Sequence, residues 1–239
     1  MSLQNQVTLK RLREVDPPEK WKRASFMVQI FFRPVSYPVT WLLVKLGFAA
    51  NHATYLSGLV SVCGAALLIA ANREMNVAGA VLFNLWAVLD CVDGTLARYR
   101  GSSSKHGDFV DTVFGYLAFG IVFIAMGVTA ENTKALGPIP LGHINFIIIG
   151  AFASMGDLFM RLVYQRFFSA YQNALYGEKT SNRRLGKEFA LTGLLAPLLL
   201  VSVIFNVTTW LVLFYAAFNI GACSLSAFNM LRKSETLGK

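Results

Sequence analysis

Apolar residues in this chain come in long runs rather than in alternation. Six stretches approach the roughly 20 mostly apolar residues that a bilayer-crossing helix needs. They cover 53–71, 76–97, 107–130, 143–164, 188–206 and 208–231. Helix-stopping punctuation separates them. Asn72-Arg73-Glu74 follows the first and Gly101-Ser102-Ser103-Ser104 the second; Gly137-Pro138-Ile139-Pro140 ends the third, and Asn206 precedes the sixth. Residues 31–50 read differently. Their apolar run is short and carries Arg33, Pro34, Pro38 and Lys45, with Trp41 and Leu42 spaced for a helix lying in the membrane interface. The pattern predicts an all-α integral membrane protein. It has a polar leader over 1–30, an interfacial amphipathic helix over 31–50, a six-helix transmembrane domain over 51–231 and a tail over 232–239.

Composition strengthens this reading. Of 239 residues, 55% are hydrophobic and only 15% are charged, against about 25% charged in a soluble domain. Cys63, Cys91 and Cys223 are scattered without metal-site spacing and imply no disulfide framework. The leader is polar and basic with no short apolar core before a small-residue cleavage site, so no signal peptide is expected.

The net charge of +9 raises the question of nucleic acid, and its distribution answers it. With the leader inside, 20 of the 22 Lys and Arg fall on the cytoplasmic side; only Arg73 and Lys134 fall opposite. The positive-inside rule then puts both termini in the cytoplasm. Orientation and attraction to anionic lipid heads account for the charge, and no nucleic-acid partner is expected.

Against this apolar background the acids stand out. On a helix over 76–97, Asp90, Asp93, Gly94 and Ala97 share one face. On the next helix Gly107, Asp111 and Gly115 recur every four residues, also on one face. The connection is short, so the two stripes can face each other. An Asp near the bilayer centre costs about 2.5–3.5 kcal/mol on insertion scales, and three together also repel. A divalent cation with a preference for oxygen ligands supplies the compensation. Small residues at helical spacing most often mean close packing; beside three acids they also make room for a ligand against the backbone. A cation conduit is the rival from another class. It would need polar residues continuing across the membrane, whereas Thr112, Gly115 and Tyr116 give way to an apolar run.

The stretch resembles the signature of the CDP-alcohol phosphotransferase family, D-x2-D-G-x2-A-R-x8-G-x3-D-x3-D. Here Asp90, Asp93, Gly94, Ala97, Arg98, Gly107 and Asp111 match without a gap, and Gly115 stands where the fourth acid belongs. The segment Asn51-His52-Ala53-Thr54 resembles the family's N-x2-T before the first span. The resemblance implies transfer of a substituted phosphate from a CDP-linked donor to an acceptor, with release of CMP. It further implies two Mg²⁺ or Mn²⁺ ions held by Asp90, Asp93 and Asp111. Asn51, Gly94, Ala97, Arg98 and Gly107 would form the nucleotide site. The family often forms homodimers, so a homodimer is expected.

Gly115 occupies the position of the expected general base, and four explanations stay open. His106 or Asp108 would serve as a substitute base. Alternatively the acceptor needs no base: a hydroxyl, like water, titrates far above neutral pH, whereas a phosphate monoester titrates near 6. That gap outweighs the roughly 10²–10⁴ a general base contributes, so a phosphorylated lipid or sugar acceptor would tolerate the loss. Gly115 would otherwise be a change in an ordinary enzyme, or the chain would bind donor and lipid without catalysis. Elsewhere, Asp157 and Arg161 have the spacing of a helical ion pair. Arg161, Arg183 and Arg184 are candidates for an acceptor phosphate, alongside their plain role as orientation charge.

Overall fold

The computed structural model describes residues 7–134, 143–171 and 187–237. No strand occurs among them, and the chain builds nine α-helices from these residues. They are α1 Leu9–Glu14, α2 Pro18–Lys22, α3 Arg33–Lys45, α4 Ala50–Leu68, α5 Arg73–Arg100, α6 Lys105–Thr133, α7 Phe146–Ala170, α8 Ala196–Ile204 and α9 Thr208–Leu237. π-helical turns, Val28–Phe32 and Leu191–Leu195, lead into α3 and α8.

Four of these helices, α5, α6, α7 and α9, are long and apolar enough to cross a membrane. The chain is therefore a multi-pass, all-helical membrane protein. Two of the six predicted spans take a different form. The stretch 53–71 becomes α4, shifted three residues toward the N-terminus so that it opens on the polar Asn51, His52 and Thr54. The stretch 188–206 becomes a shorter apolar helix, Leu191–Ile204. Gly193 interrupts it with non-helical dihedrals (φ −102, ψ −124). Its backbone lies against the Glu188 carbonyl, where a Cβ would collide.

Local chemistry explains where the helices stop. Gly101 has φ +62. Its N–H donates to the Arg98 carbonyl at 3.2 Å and the Ser102 N–H to the Ala97 carbonyl at 2.9 Å. This paired pattern closes a helix on a left-handed glycine. Three residues later the Ser104 hydroxyl accepts from the Gly107 N–H at 3.0 Å and caps α6. Asn206 (φ 54) closes α8 in the same way, with the Val207 N–H bonded to the Ser202 carbonyl at 2.8 Å.

The chain divides into two compact units. The first comprises Met1–Gly64, Gly79–Ala118 and Asn182–Leu200. In it, α4 approaches α6 where Gly58 takes the Phe114 ring against its backbone, and approaches α5 where Gly64 meets the Gly79 carbonyl. The Asn84 amide donates to the Ala196 carbonyl at 2.8 Å, tying α5 to the start of α8. Residues 7–30 of the leader are folded into this unit. Leu12 is fully buried, and the Trp41 indole donates to the Val7 carbonyl at 3.2 Å. The Ser25 hydroxyl donates to the Thr192 carbonyl at 3.0 Å.

The second unit comprises Ala65–Ala78, Phe119–Ser181 and Val201–Lys239. Gly127 of α6 and Gly150 of α7 pack backbone to backbone, the small-residue contact that lets membrane helices approach. Asn219 of α9 donates to the Ala153 carbonyl at 3.0 Å. Large side chains such as Phe152, Phe159, Phe228 and Leu231 remain exposed, as a surface facing hydrocarbon requires.

Candidate functional site

The candidate site lies in the first unit, at the turn from α5 to α6. Asp90, Asp93, Gly94 and Ala97 lie on the last turns of α5, and Gly107 and Asp111 on the first turns of α6. The tight Gly101–Ser104 connection brings the two stripes together. Asp93 is buried, at 6% exposure, and lies within electrostatic range of both Asp90 and Asp111. Its hydrogen-bond partners are neutral. The Thr54 hydroxyl donates to Oδ2 at 3.1 Å, and the Gly94 N–H donates to Oδ1. A buried carboxylate with two acids nearby and only neutral donors is poorly compensated by the protein itself.

The first turn of α4 completes the arrangement. Asn51 and Thr54 are three residues apart and point the same way. Thr54 reaches Asp93, while the Asn51 side-chain oxygen lies 3.4 Å from where a Cβ on Gly107 would stand. The two ends of the N-x2-T segment thus touch the two halves of the acidic motif. Gly107 keeps the α6 surface low at that point.

Arg98 has its own arrangement, which no local pattern announced. Its Nε donates to Asp16 Oδ1 at 2.8 Å, and Nη2 donates to the same oxygen. Asp16 comes from the loop between α1 and α2, and its side chain is wholly buried. Its second oxygen accepts from the Tyr37 hydroxyl at 3.1 Å and from Thr95 Oγ1 at 3.4 Å. Burial, and then the Asp16 charge, push the Tyr37 hydroxyl up to about 12, so it stays a donor at physiological pH. Asp16 is one acid among several in a polar leader, and no spacing sets it apart. Only its burial marks it.

The other predicted residues divide as follows. Gly94, Ala97 and Gly115 are half-buried, and Gly115 lies one turn beyond Asp111. His106 and Asp108 lie in the first turn of α6 and are exposed, whereas Asp93 is buried. In the second unit Arg161 forms the expected pair with Asp157: Nε to Oδ2 is 2.7 Å and Nη2 to Oδ1 is 3.2 Å. Its guanidinium also covers the Phe119 ring at 3.6 Å. Arg183 and Arg184 lie outside the described residues.

The donor set is three carboxylates, the oxygen ligands that Mg²⁺ and Mn²⁺ prefer. Among the described residues no three His, Cys, Asp or Glu side chains converge closely enough to form a ready-made metal site. The acids sense one another without closing on a common point. Like charges favour that separation.

Fold and site together define an all-helical membrane protein with an acidic cluster at a helix–helix turn. The chain belongs to the CDP-alcohol phosphatidyltransferase family, whose profile matches residues 47–220. It is similar to a phosphatidylinositol phosphate synthase of Corynebacterium glutamicum, 35% identical over 89 residues, 37% of this chain and 40% of that protein. A phosphatidylinositol phosphate synthase of Mycobacterium marinum is 28% identical over 101 residues, 42% of each chain. A "Bifunctional IPC transferase and DIPP synthase" of Thermococcus kodakarensis is 25% identical over 186 residues, 72% of this chain and 40% of that one. The matches thus cover less than half the length of these curated relatives.

Proposed function

We propose that this chain transfers a substituted phosphate from a CDP-linked donor to an acceptor within the membrane and releases CMP. The observation that carries this reading is the buried Asp93, neutrally bonded by Thr54 and flanked by Asp90 and Asp111. Asp90, Asp93 and Asp111 would hold Mg²⁺ or Mn²⁺, which when bound neutralises the donor diphosphate and stabilises charge at the transferred phosphorus. Gly94, Ala97 and Gly107 leave space against the backbone for the nucleotide. Asn51 would offer its amide beside Gly107, and Arg98 would offer guanidinium charge. Thr54 orients Asp93, and its apolar surroundings limit water.

With Gly115 the chain has no carboxylate at the position of the base. An acceptor that already carries phosphate fits this best, and the names of the bacterial relatives support a phosphorylated acceptor or product. The lack of a side chain at Gly115 also favours a second reading, in which the chain binds donor and lipid without turning them over. In either reading α4 and the Leu191–Ile204 helix would complete six crossings, with α3 in the interface, both termini cytoplasmic, and two copies forming the functional unit.

Purified protein in lipid nanodiscs, given CDP-diacylglycerol and Mg²⁺ with a panel of free and phosphorylated alcohols, provides the test. CMP release with a phosphorylated acceptor is expected. Metal-dependent CDP binding without CMP release from any combination would favour the binding reading. Absence of both would overturn the assignment.

A further inference from the structure

We propose that Asp16, in the N-terminal leader, is the positioning residue for Arg98 and so belongs to the nucleotide site in function though not in sequence. The inference rests on the reading of Arg98 given above.

The geometry sets Asp16 apart from an ordinary ion pair. Each of its oxygens has a separate task. Oδ2 is anchored on two elements, by Tyr37 of α3 at 3.1 Å and Thr95 of α5 at 3.4 Å. Oδ1 is thereby held still and takes Nε and Nη2, one edge of the Arg98 guanidinium. A guanidinium gripped along one edge has its plane fixed and its far side turned away. In Arg98 that leaves Nη1 without a partner among the described residues, on a side chain that is 21% exposed. The residue is thus oriented with one nitrogen open to an incoming anion.

Charge balance favours the same conclusion. A second guanidinium, Arg33, stands behind Asp16 at 3.9 Å. Arg33 is 5% exposed. Its Nε and Nη1 are buried without a hydrogen-bond acceptor, and its guanidinium faces the Trp21 ring at 5.8 Å. Two guanidinium groups therefore share one carboxylate, and a surplus of positive charge is kept next to Arg98. A pair serving only to pin the leader onto α5 would be closer to neutral. An anion such as a nucleotide diphosphate makes use of the excess.

The test is a double-mutant cycle with Asp16→Asn and Arg98→Lys, singly and together, read by Mg²⁺-dependent CDP binding and by the KM and kcat for CMP release. Asp16→Asn should weaken CDP binding by about tenfold or more, the scale of a charge-assisted hydrogen bond, and raise the donor KM more than it lowers kcat. In the Arg98→Lys background the same change should have little further effect. Asp16→Glu, which keeps the charge, should recover part of the loss and provides a readout if Asp16→Asn does not fold. Full-strength CDP binding by folded Asp16→Asn, or by folded Asp16→Ala if the Asn variant is lost, would overturn this inference alone. So would equal losses from Asp16→Asn in both backgrounds. Failure of the unaltered protein to bind CDP with Mg²⁺ would instead overturn the functional reading and this inference with it.

Discussion

Replacing Asp93 by Asn separates the electrostatic account of the site from a purely architectural one. Asn keeps the shape, and its one oxygen can still accept from the Thr54 hydroxyl 3.1 Å away. The charge is lost, together with the second oxygen that accepts from the Gly94 N–H. Asp93 is 6% exposed and lies within range of the charges of Asp90 and Asp111. An intramembrane Asp costs about 2.5–3.5 kcal/mol on insertion scales. Removing the charge should therefore raise the stability of the metal-free protein by about 2 kcal/mol. For a chain of this length 1 kcal/mol moves Tm by about 2–4 °C, so the variant should melt about 4–8 °C higher. The sign reverses once metal is supplied. At an Mg²⁺ concentration of 100 times Kd the unaltered protein should gain about 2.7 kcal/mol, or about 5–10 °C, while Asp93→Asn should gain almost nothing. Differential scanning fluorimetry in detergent, with EDTA and then with graded Mg²⁺, reads both effects. A variant less stable than the parent in EDTA, with an undiminished response to Mg²⁺, would mean that Asp93 serves as packing and hydrogen bonding, not as a metal-facing charge.

Three further outcomes are expected. Gly115→Asp should raise turnover with alcohol acceptors by about 10²–10⁴, the usual worth of a general base; an unchanged rate in the CMP-release assay would mean that deprotonation is not what limits this chain. Gly58→Leu should destabilise the protein by about 1–3 kcal/mol through overpacking, because even a Cβ at Gly58 meets the Phe114 ring; a melting temperature equal to that of the parent would contradict the α4–α6 contact. Tyr37, raised from 10.0 to about 12 by burial and then by the Asp16 charge, holds its proton more tightly folded than unfolded. Its contribution, about 3 kcal/mol for two units at 1.36 each, is fully present below pH 10 and lost as pH rises toward 12. The stability gap between the parent and Tyr37→Phe should change across that window, and parallel denaturation curves from pH 9 to 12 would count against it.

Much of the helical framework was legible because its causes are local. The run 76–97 became α5 with three residues added at each end, and 107–130 became a slightly longer α6. Gly101 and Ser104 marked the stop and the cap between them. A helix end depends on hydrogen bonds within a few residues, and those residues are adjacent in the chain. The nearness of Asp93 to Asp111 was readable for the same reason: helical spacing on each side and a short connection. Hydropathy was less informative where a segment is mixed. The polar first turn of α4 and the kink at Gly193 set two of the six expected spans apart from the four long apolar helices, since burial against other helices can stabilise a segment that lipid alone would not.

By itself, then, the sequence determined a helical membrane chain, the position of its acid-bearing turn and the family of its signature. Tertiary structure alone decided that Thr54, 39 residues away, orients Asp93, and that Asp16, 82 residues before Arg98, takes hold of it. It also decided that Arg161, whose pairing with Asp157 follows from helical spacing, lies over the Phe119 ring. The reason is physical. A side chain's spacing shows which face of its own helix it occupies, but its partner is set by the packing of segments far apart in the chain. In a buried site the partner decides whether a charge supports structure or is held ready for a ligand.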